Sequence, residues 1–220
     1  MSPYKYICIE GNIGAGKTTF ASRYSEEINA RLILEEFADN PFLPKFYQDS
    51  KRYSFPLELS FMAERYRQLK NEVENQDLFY PITVSDYVFY KCLIFASVNL
   101  EEDEVKLYKS LFQIIYQNLP TPDIILYFSC STEKLLQNIK KRGRSYEQNI
   151  KASYLDAVNN MYFEFFKHQE KSRILILDTN EIDFVNDIEV YAKIKNLLNQ
   201  PYELGLHYVS LEKSVNHNSN

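Results

Sequence analysis

Five glycines occur in the 220 residues, and three of them, Gly11, Gly14 and Gly16, fall within one six-residue window. A glycine-poor chain that clusters its glycines is placing backbone where side chains do not fit. The window reads Gly11-Asn12-Ile13-Gly14-Ala15-Gly16-Lys17-Thr18, which matches G-x-x-x-x-G-K-[ST]. It lies between a short apolar run, Tyr6–Glu10, and a helix-like stretch, Lys17–Asn29, the strand–loop–helix setting of a phosphate-binding P-loop. In such a loop backbone N–H groups converge on phosphate oxygens, and the helix N-terminus adds partial positive charge. Lys17 is expected to reach the β- and γ-phosphates, and Thr18 to offer its hydroxyl to Mg2+. The expected nucleotide site is Gly11, Asn12, Ile13, Gly14, Ala15, Gly16, Lys17, Thr18 and Thr19.

Beyond this loop, short apolar runs alternate with longer helical patterns. Strands are expected at Tyr6–Glu10, Leu32–Glu35, Ile82–Ser85, Ile124–Phe128 and Ile174–Leu177, none split by charge, as strands covered on both faces should be. Helices are expected at Lys17–Asn29, Tyr53–Asn75, Glu102–Asn118, Thr132–Lys141, Lys151–Lys171 and Phe184–Leu198. The pattern predicts an α/β fold of the P-loop NTPase type: a five-stranded parallel sheet flanked by helices, with ligands at the carboxyl ends of the strands. No repeat or linker divides the chain, so residues 1–200 are expected to form one domain and 201–220 a C-terminal extension whose last residues, Ser214–Asn220, are disordered.

Charge and cysteine usage narrow the function. With 25 Lys+Arg against 30 Asp+Glu the formal net charge is −5, which disfavours a nucleic-acid or polybasic membrane binder. Cys8, Cys92 and Cys130 lie far apart, without the paired spacing that zinc uses, and point to a reducing cytoplasm. No basic leader followed by an apolar segment is present, and no apolar run approaches ~20 residues, so a cytoplasmic protein is expected. A GTPase is disfavoured because neither N-K-x-D nor a D-x-x-G after the third strand occurs.

At the end of the second strand run stand Glu35 and Glu36. A carboxylate there faces the phosphates across the cleft, where it can take a proton from an acceptor hydroxyl. From position alone, a merely solvated acidic strand end is an equally good reading.

The chain resembles the deoxyribonucleoside kinase family, most closely its bacterial deoxyguanosine and deoxyadenosine kinases, from Tyr6 to about Leu198. The resemblance rests on the P-loop, Glu35…Asn40-Pro41, Phe46-Tyr47, Tyr53-Ser54-Phe55-Pro56-Leu57-Glu58, Ser85-Asp86-Tyr87, Ile94-Phe95-Ala96 and Lys141-Arg142-Gly143-Arg144, in that order. It implies ATP as phosphoryl donor, Mg2+ as cofactor and a deoxynucleoside as acceptor, in a homodimer or a heterodimer with a related kinase. It makes Glu35 the base for the 5′-hydroxyl, with Glu36 a minor rival in the place where the family carries proline. It puts Tyr47 and Glu147 on the sugar 3′-hydroxyl and Phe95 against the base, although core packing also accounts for an aromatic residue at either aromatic position. It implies a LID segment in which Arg142 and Arg144 close on the transferring phosphoryl group, beside Asn138 where many relatives carry arginine. A basic helix end that merely complements the helix dipole is the alternative, but Gly143 between two arginines in so glycine-poor a chain favours the lid reading. After the third strand, Asp86 keeps the acid expected near Mg2+, but the arginine that usually follows is absent; Lys91, one turn on, is a possible substitute.

Glu58 and Arg65 are seven residues apart on a predicted helix and so share one face. The family places glutamine and arginine at these positions, both on the base. An ionised carboxylate only accepts hydrogen bonds, and guanine offers it two adjacent donors, N1–H and N2–H2. The O6 and N7 acceptors of guanine match an arginine fork. The pair therefore favours deoxyguanosine, with deoxyadenosine kinase or a broad deoxynucleoside kinase as the alternative; without the resemblance, two surface residues on an amphipathic helix would be the better reading of Glu58 and Arg65. A nucleoside monophosphate kinase is a poorer match, because the acceptor segment Glu35–Tyr47 is acidic rather than basic. A non-catalytic ATP-binding subunit is a remote alternative that draws only on the missing arginine. Glu58→Gln is expected to lose guanine preference and gain adenine, read as the ratio of kcat/KM for the two nucleosides; an unchanged ratio excludes Glu58 from base recognition.

Overall fold

The computed structural model describes residues 2–35, 40–73, 80–117 and 119–211. In chain order the elements are β1 (Tyr6–Gly11), α1 (Lys17–Glu27), β2 (Arg31–Ile33), α2 (Leu43–Gln48), α3 (Ser50–Val73), β3 (Thr83–Ser85), α4 (Lys91–Asn99) and α5 (Glu102–Tyr116). They continue with β4 (Ile124–Ser129), α6 (Thr132–Arg142), a 3-10 turn (Ser145–Glu147), α7 (Ala152–Lys167), β5 (Arg173–Asp178), α8 (Ile188–Leu197) and β6 (Gly205–Val209). The strands form one parallel sheet in the order β2-β3-β1-β4-β5-β6.

Alternation along the central strands explains why they read as unbroken apolar runs. Ile7 and Ile9 of β1, with Leu126 and Phe128 of β4, pack with Phe20 and Tyr24 of α1 and Ile194 of α8. The intervening residues Cys8, Ile125 and Tyr127 face the other way, onto Phe95 of α4 and Val158 and Tyr162 of α7. Both faces are covered, so no residue position is left for a polar period.

The sheet has six strands where five were expected. β6 lies in the segment read as an extension and pairs with β5 from Arg173↔Gly205 to Leu177↔Val209. It is an edge strand whose residues are half-buried or exposed, so it lacks the apolar run that marks the inner strands. The second strand ends at Ile33, short of Glu35, because its partner β3 stops at Ser85. Helix α3 starts at Ser50 rather than Tyr53, with Asp49 accepting the Arg52 N–H at 3.2 Å. Helix α8 starts at Ile188 rather than Phe184, since Asp187 caps it through the N–H groups of Glu189 and Val190. Helix α4 was not anticipated: Cys92, Ile94, Phe95 and Ala96 are all buried, which leaves little polar face to reveal a period. The expected helix ends at Asn75 and Asn118, and the tail Ser214–Asn220, lie outside the described residues. Among the described residues no helix is long and apolar enough to cross a membrane.

One buried carboxylate ties the sheet together next to the glycine loop. Glu10, with no solvent exposure, accepts the N–H of Gly11 at 2.9 Å, that of Val88 at 3.0 Å, and the Tyr162 hydroxyl at 3.0 Å. A buried charge is tolerated only when its lone pairs are satisfied, and here β1, the segment after β3 and α7 all contribute. Tyr162→Phe removes one of these donors and should cost about 1.5–3 kcal/mol, seen as a lower urea midpoint at unchanged denaturant slope.

Candidate active site

The loop after β1 is shaped by sequence at both ends. Gly16 caps α1 in the left-handed region at φ 89°, and a Cβ there would stand 2.8 Å from the Phe184 ring. Asn12 is buried and pins the loop to α7: its Nδ2 donates to the Leu155 carbonyl at 2.9 Å and to Asn159 Oδ1 at 2.8 Å. Lys17 Nζ donates to the Asn12 carbonyl at 3.0 Å. Burial, helped by the positive charge of Lys91, brings the Lys17 amine down to about 8. Asn138, at the position where the resemblance expects arginine, donates from Nδ2 to the Gly14 carbonyl at 2.8 Å and so ties α6 to the loop.

Asp86 follows β3 and holds two chain segments at once. Its Oδ2 accepts the Thr18 hydroxyl at 2.5 Å, and its Oδ1 accepts the Glu35 N–H at 2.7 Å. The two residues expected at the metal are therefore together. A hydroxyl and a carboxylate oxygen make a hard-donor set suited to an ion that keeps most of its shell for water and phosphate.

Glu35 is the centre of the charge arrangement. Its Oε1 accepts Arg65 Nε at 2.9 Å and is also bonded by Arg65 Nη2, while Oε2 accepts Lys91 Nζ at 2.6 Å. All three side chains are nearly buried. Burial on its own would raise the carboxyl, but the charges of Lys91 and Arg65 outweigh it and hold Glu35 well below the usual carboxylate range. Arg65, expected on the base, here spans Glu35 and Cys92, with Nη1 donating to Cys92 Sγ at 3.1 Å. Lys91 supplies a cation against Glu35 in a segment whose expected arginine is missing. Glu36, with Phe37, Ala38 and Asp39, lies outside the described residues.

Lys91, Phe95 and Asn99 recur every fourth residue, and this stripe of α4 lines a cavity. Across from it on α3 stand Glu58 and Arg65. The acceptor-side expectations Glu35, Tyr47, Glu58, Arg65, Phe95 and Glu147 all line this cavity, together with Lys17 and Asp86. Glu58 Oε1 accepts Asn99 Nδ2 at 2.6 Å, and burial pushes the Glu58 carboxyl up to about 7. Asn99 was missed by sequence reasoning, because its place one turn beyond Phe95 has meaning only once α4 is known to be a helix. Tyr47 stacks on Tyr146, with ring centroids 6.0 Å apart.

A second cavity lies across the loop, lined by Gly14–Thr19, Thr179 and Phe184. Gly14, Lys17, Thr18, Arg142 and Arg144 belong to both cavities and form the wall between them. Gly11 and Asn12 line neither; they shape the loop from behind. Arg142 and Arg144 both pair with the Glu147 carboxylate, from Nη2 of Arg142 and from Nη1 of Arg144 at 3.3 Å. Gly143 between them ends α6 at φ 76°, with its N–H on the Ile139 carbonyl at 3.2 Å. Helix termination therefore accounts for that glycine.

The chain is 35% identical over 206 residues to the deoxyguanosine kinase of Bacillus subtilis (strain 168), covering 90% of this chain and all of that protein. It is 32% identical over 198 residues to the deoxyadenosine kinase of Dictyostelium discoideum, covering 86% of this chain and 78% of that one. The solved structure of deoxyadenosine kinase from M. mycoides with bound dATP superposes with a TM-score of 0.78 at 27% identity, covering 89% of this chain and all of that chain. The deoxynucleoside kinase family model matches residues 7–201, and with two adjoining cavities walled by one glycine loop, the chain belongs to the deoxynucleoside kinase family.

Proposed function

We propose that this protein transfers the γ-phosphoryl group of ATP to the 5′-hydroxyl of a purine deoxynucleoside, with deoxyguanosine preferred, giving dGMP and ADP. The observation that carries this reading is the Glu35 carboxylate, nearly buried in a cavity that Lys17 of the phosphate loop also lines. The donor triphosphate lies along the second cavity on Gly14–Thr19. The acceptor lies in the first, its sugar toward Tyr47 and Glu147 and its base between Phe95 and the Glu58–Arg65 face.

Glu35 enters the reaction already ionised, since Lys91 and Arg65 fix its charge. In a loose phosphoryl-transfer transition state the hydroxyl proton becomes acidic only as the new P–O bond forms, so a well-placed carboxylate suffices as its acceptor. Lys17, Arg142 and Arg144 hold the charge that spreads over the phosphoryl oxygens. Reaching them requires the two arginines to leave or share Glu147. Thr18 and Asp86 fit Mg2+, which when bound supplies further neutralising charge at the phosphates.

Similarity to a deoxyguanosine kinase over its full length supports guanine as the base. The deoxyadenosine kinases among the relatives favour a second reading, with adenine accepted as well. ADP release measured with each of the four deoxynucleosides tests the assignment: the largest kcat/KM is expected with deoxyguanosine, and ADP formation with none of them overturns it. Glu35→Gln should lower kcat about 10²–10⁴-fold while equilibrium binding of ATP is retained. Asp86→Asn should depress turnover far more than nucleoside affinity; equal loss of both contradicts a metal or catalytic role.

A further inference from the structure

Glu58 carries a feature that discrimination by an ionised carboxylate does not use. The residue is 1% exposed and lines the acceptor cavity, yet its two oxygens are treated differently. Oε1 accepts Asn99 Nδ2 at 2.6 Å, whereas Oε2 is buried without a hydrogen-bond partner among the described residues. The backbone carbonyl of Glu58 is separately held by the Tyr108 hydroxyl at 3.1 Å, so the side chain is presented from a fixed point on α3. A buried carboxylate oxygen with no donor favours taking up a proton.

The charged and titratable groups around Glu58 come from five segments of the chain. Arg65 lies on the same helix, Glu35 follows β2, Lys91 and Cys92 come from α4, Tyr108 from α5 and Tyr154 from α7. Arg65 and Lys91 favour the ionised form and Glu35 opposes it, while both cations are already committed to Glu35. Burial is the largest influence and brings the carboxyl to about 7, so both protonation states are populated near neutrality.

The two states present different hydrogen-bonding faces. As a carboxylate, Glu58 offers two acceptors, which suit N1–H and N2–H2 of guanine. As a carboxylic acid it offers a donor and an acceptor, which suit N1 and the N6 amino group of adenine. Asn99, by donating to Oε1, keeps that oxygen an acceptor in both states and leaves the proton to Oε2. We propose that the proton on Glu58 Oε2 selects the purine: the ionised site takes deoxyguanosine, the protonated site takes deoxyadenosine, and Asn99 is the positioning residue that fixes which oxygen changes. This rests on the reading that Glu58 faces the base.

The test is the ratio of kcat/KM for deoxyguanosine to that for deoxyadenosine, measured on the full chain with ATP between about pH 6 and 8.5. Groups that serve both reactions, Lys17 and Glu35 included, cancel in this ratio. It should rise with pH by up to about tenfold per pH unit, and in Glu58→Gln it should be flat and displaced toward adenine. Asn99→Ala removes a donor that favours the carboxylate and should move the break in the individual profiles to higher pH. Calorimetry in buffers of different ionisation enthalpy gives a readout independent of turnover: near neutral pH deoxyadenosine binding takes up a proton and deoxyguanosine binding releases one. A flat wild-type ratio without proton exchange overturns the switch. If Glu58→Gln still displaces that flat ratio, the base-reading role stands alone; if it leaves the ratio unchanged, that role fails too.

Discussion

Asp86 is the knot on which the site depends. One carboxylate oxygen holds the first helical turn of the glycine loop through Thr18, and the other holds the backbone of Glu35. The glycine loop and Glu35 follow different strands, β1 and β2, with β3 lying between those strands in the sheet. Their relative position is set where β3 ends. Because the Glu35 N–H is bonded there, the chain leaves the sheet immediately after Ile33 and turns the Glu35 side chain into the cleft.

The cations around Glu35 solve a problem that burial creates. A carboxylate out of water is unstable unless its charge is met, and Arg65 and Lys91 meet it from α3 and α4. The cost is basicity, since a carboxyl so strongly held is a weak proton acceptor. In the proposed reaction this is tolerated, because the transition state of phosphoryl transfer asks for position and charge compensation more than for early proton removal. Glu58 is the counter-example in the same cavity: with Asn99 rather than a cation as its hydrogen-bond partner, it moves in the opposite direction.

Much of this was legible in the sequence. The glycine loop carries its own spacing rule, and inner strands covered on both faces leave continuous apolar runs such as Ile124–Phe128. Glu58 and Arg65 could be put on one face because a helix returns every 3.6 residues. What could not be read depends on contacts between distant segments. That Arg65 turns to Glu35 follows from the approach of α3 to the end of β2, which no local pattern records. Strand β6 was hidden because an edge strand need not be apolar, and α4 because a mostly buried helix shows little amphipathic period. Lys91 was visible as a residue, but its register became meaningful only once that helix existed.

The stripe of α4 gives the helix the character of a ruler. From Lys91 to Asn99 the rise is about 12 Å, on the scale of a nucleoside, with a cation at one end, an aromatic ring midway and an amide at the other. All three markings are engraved on a single rigid rod whose opposite side is embedded in the core through Cys92 and Ala96. A small roll of that rod would misalign every marking together, so the packing of Cys92 and Ala96, which line neither cavity, bears on the alignment of the residues that do.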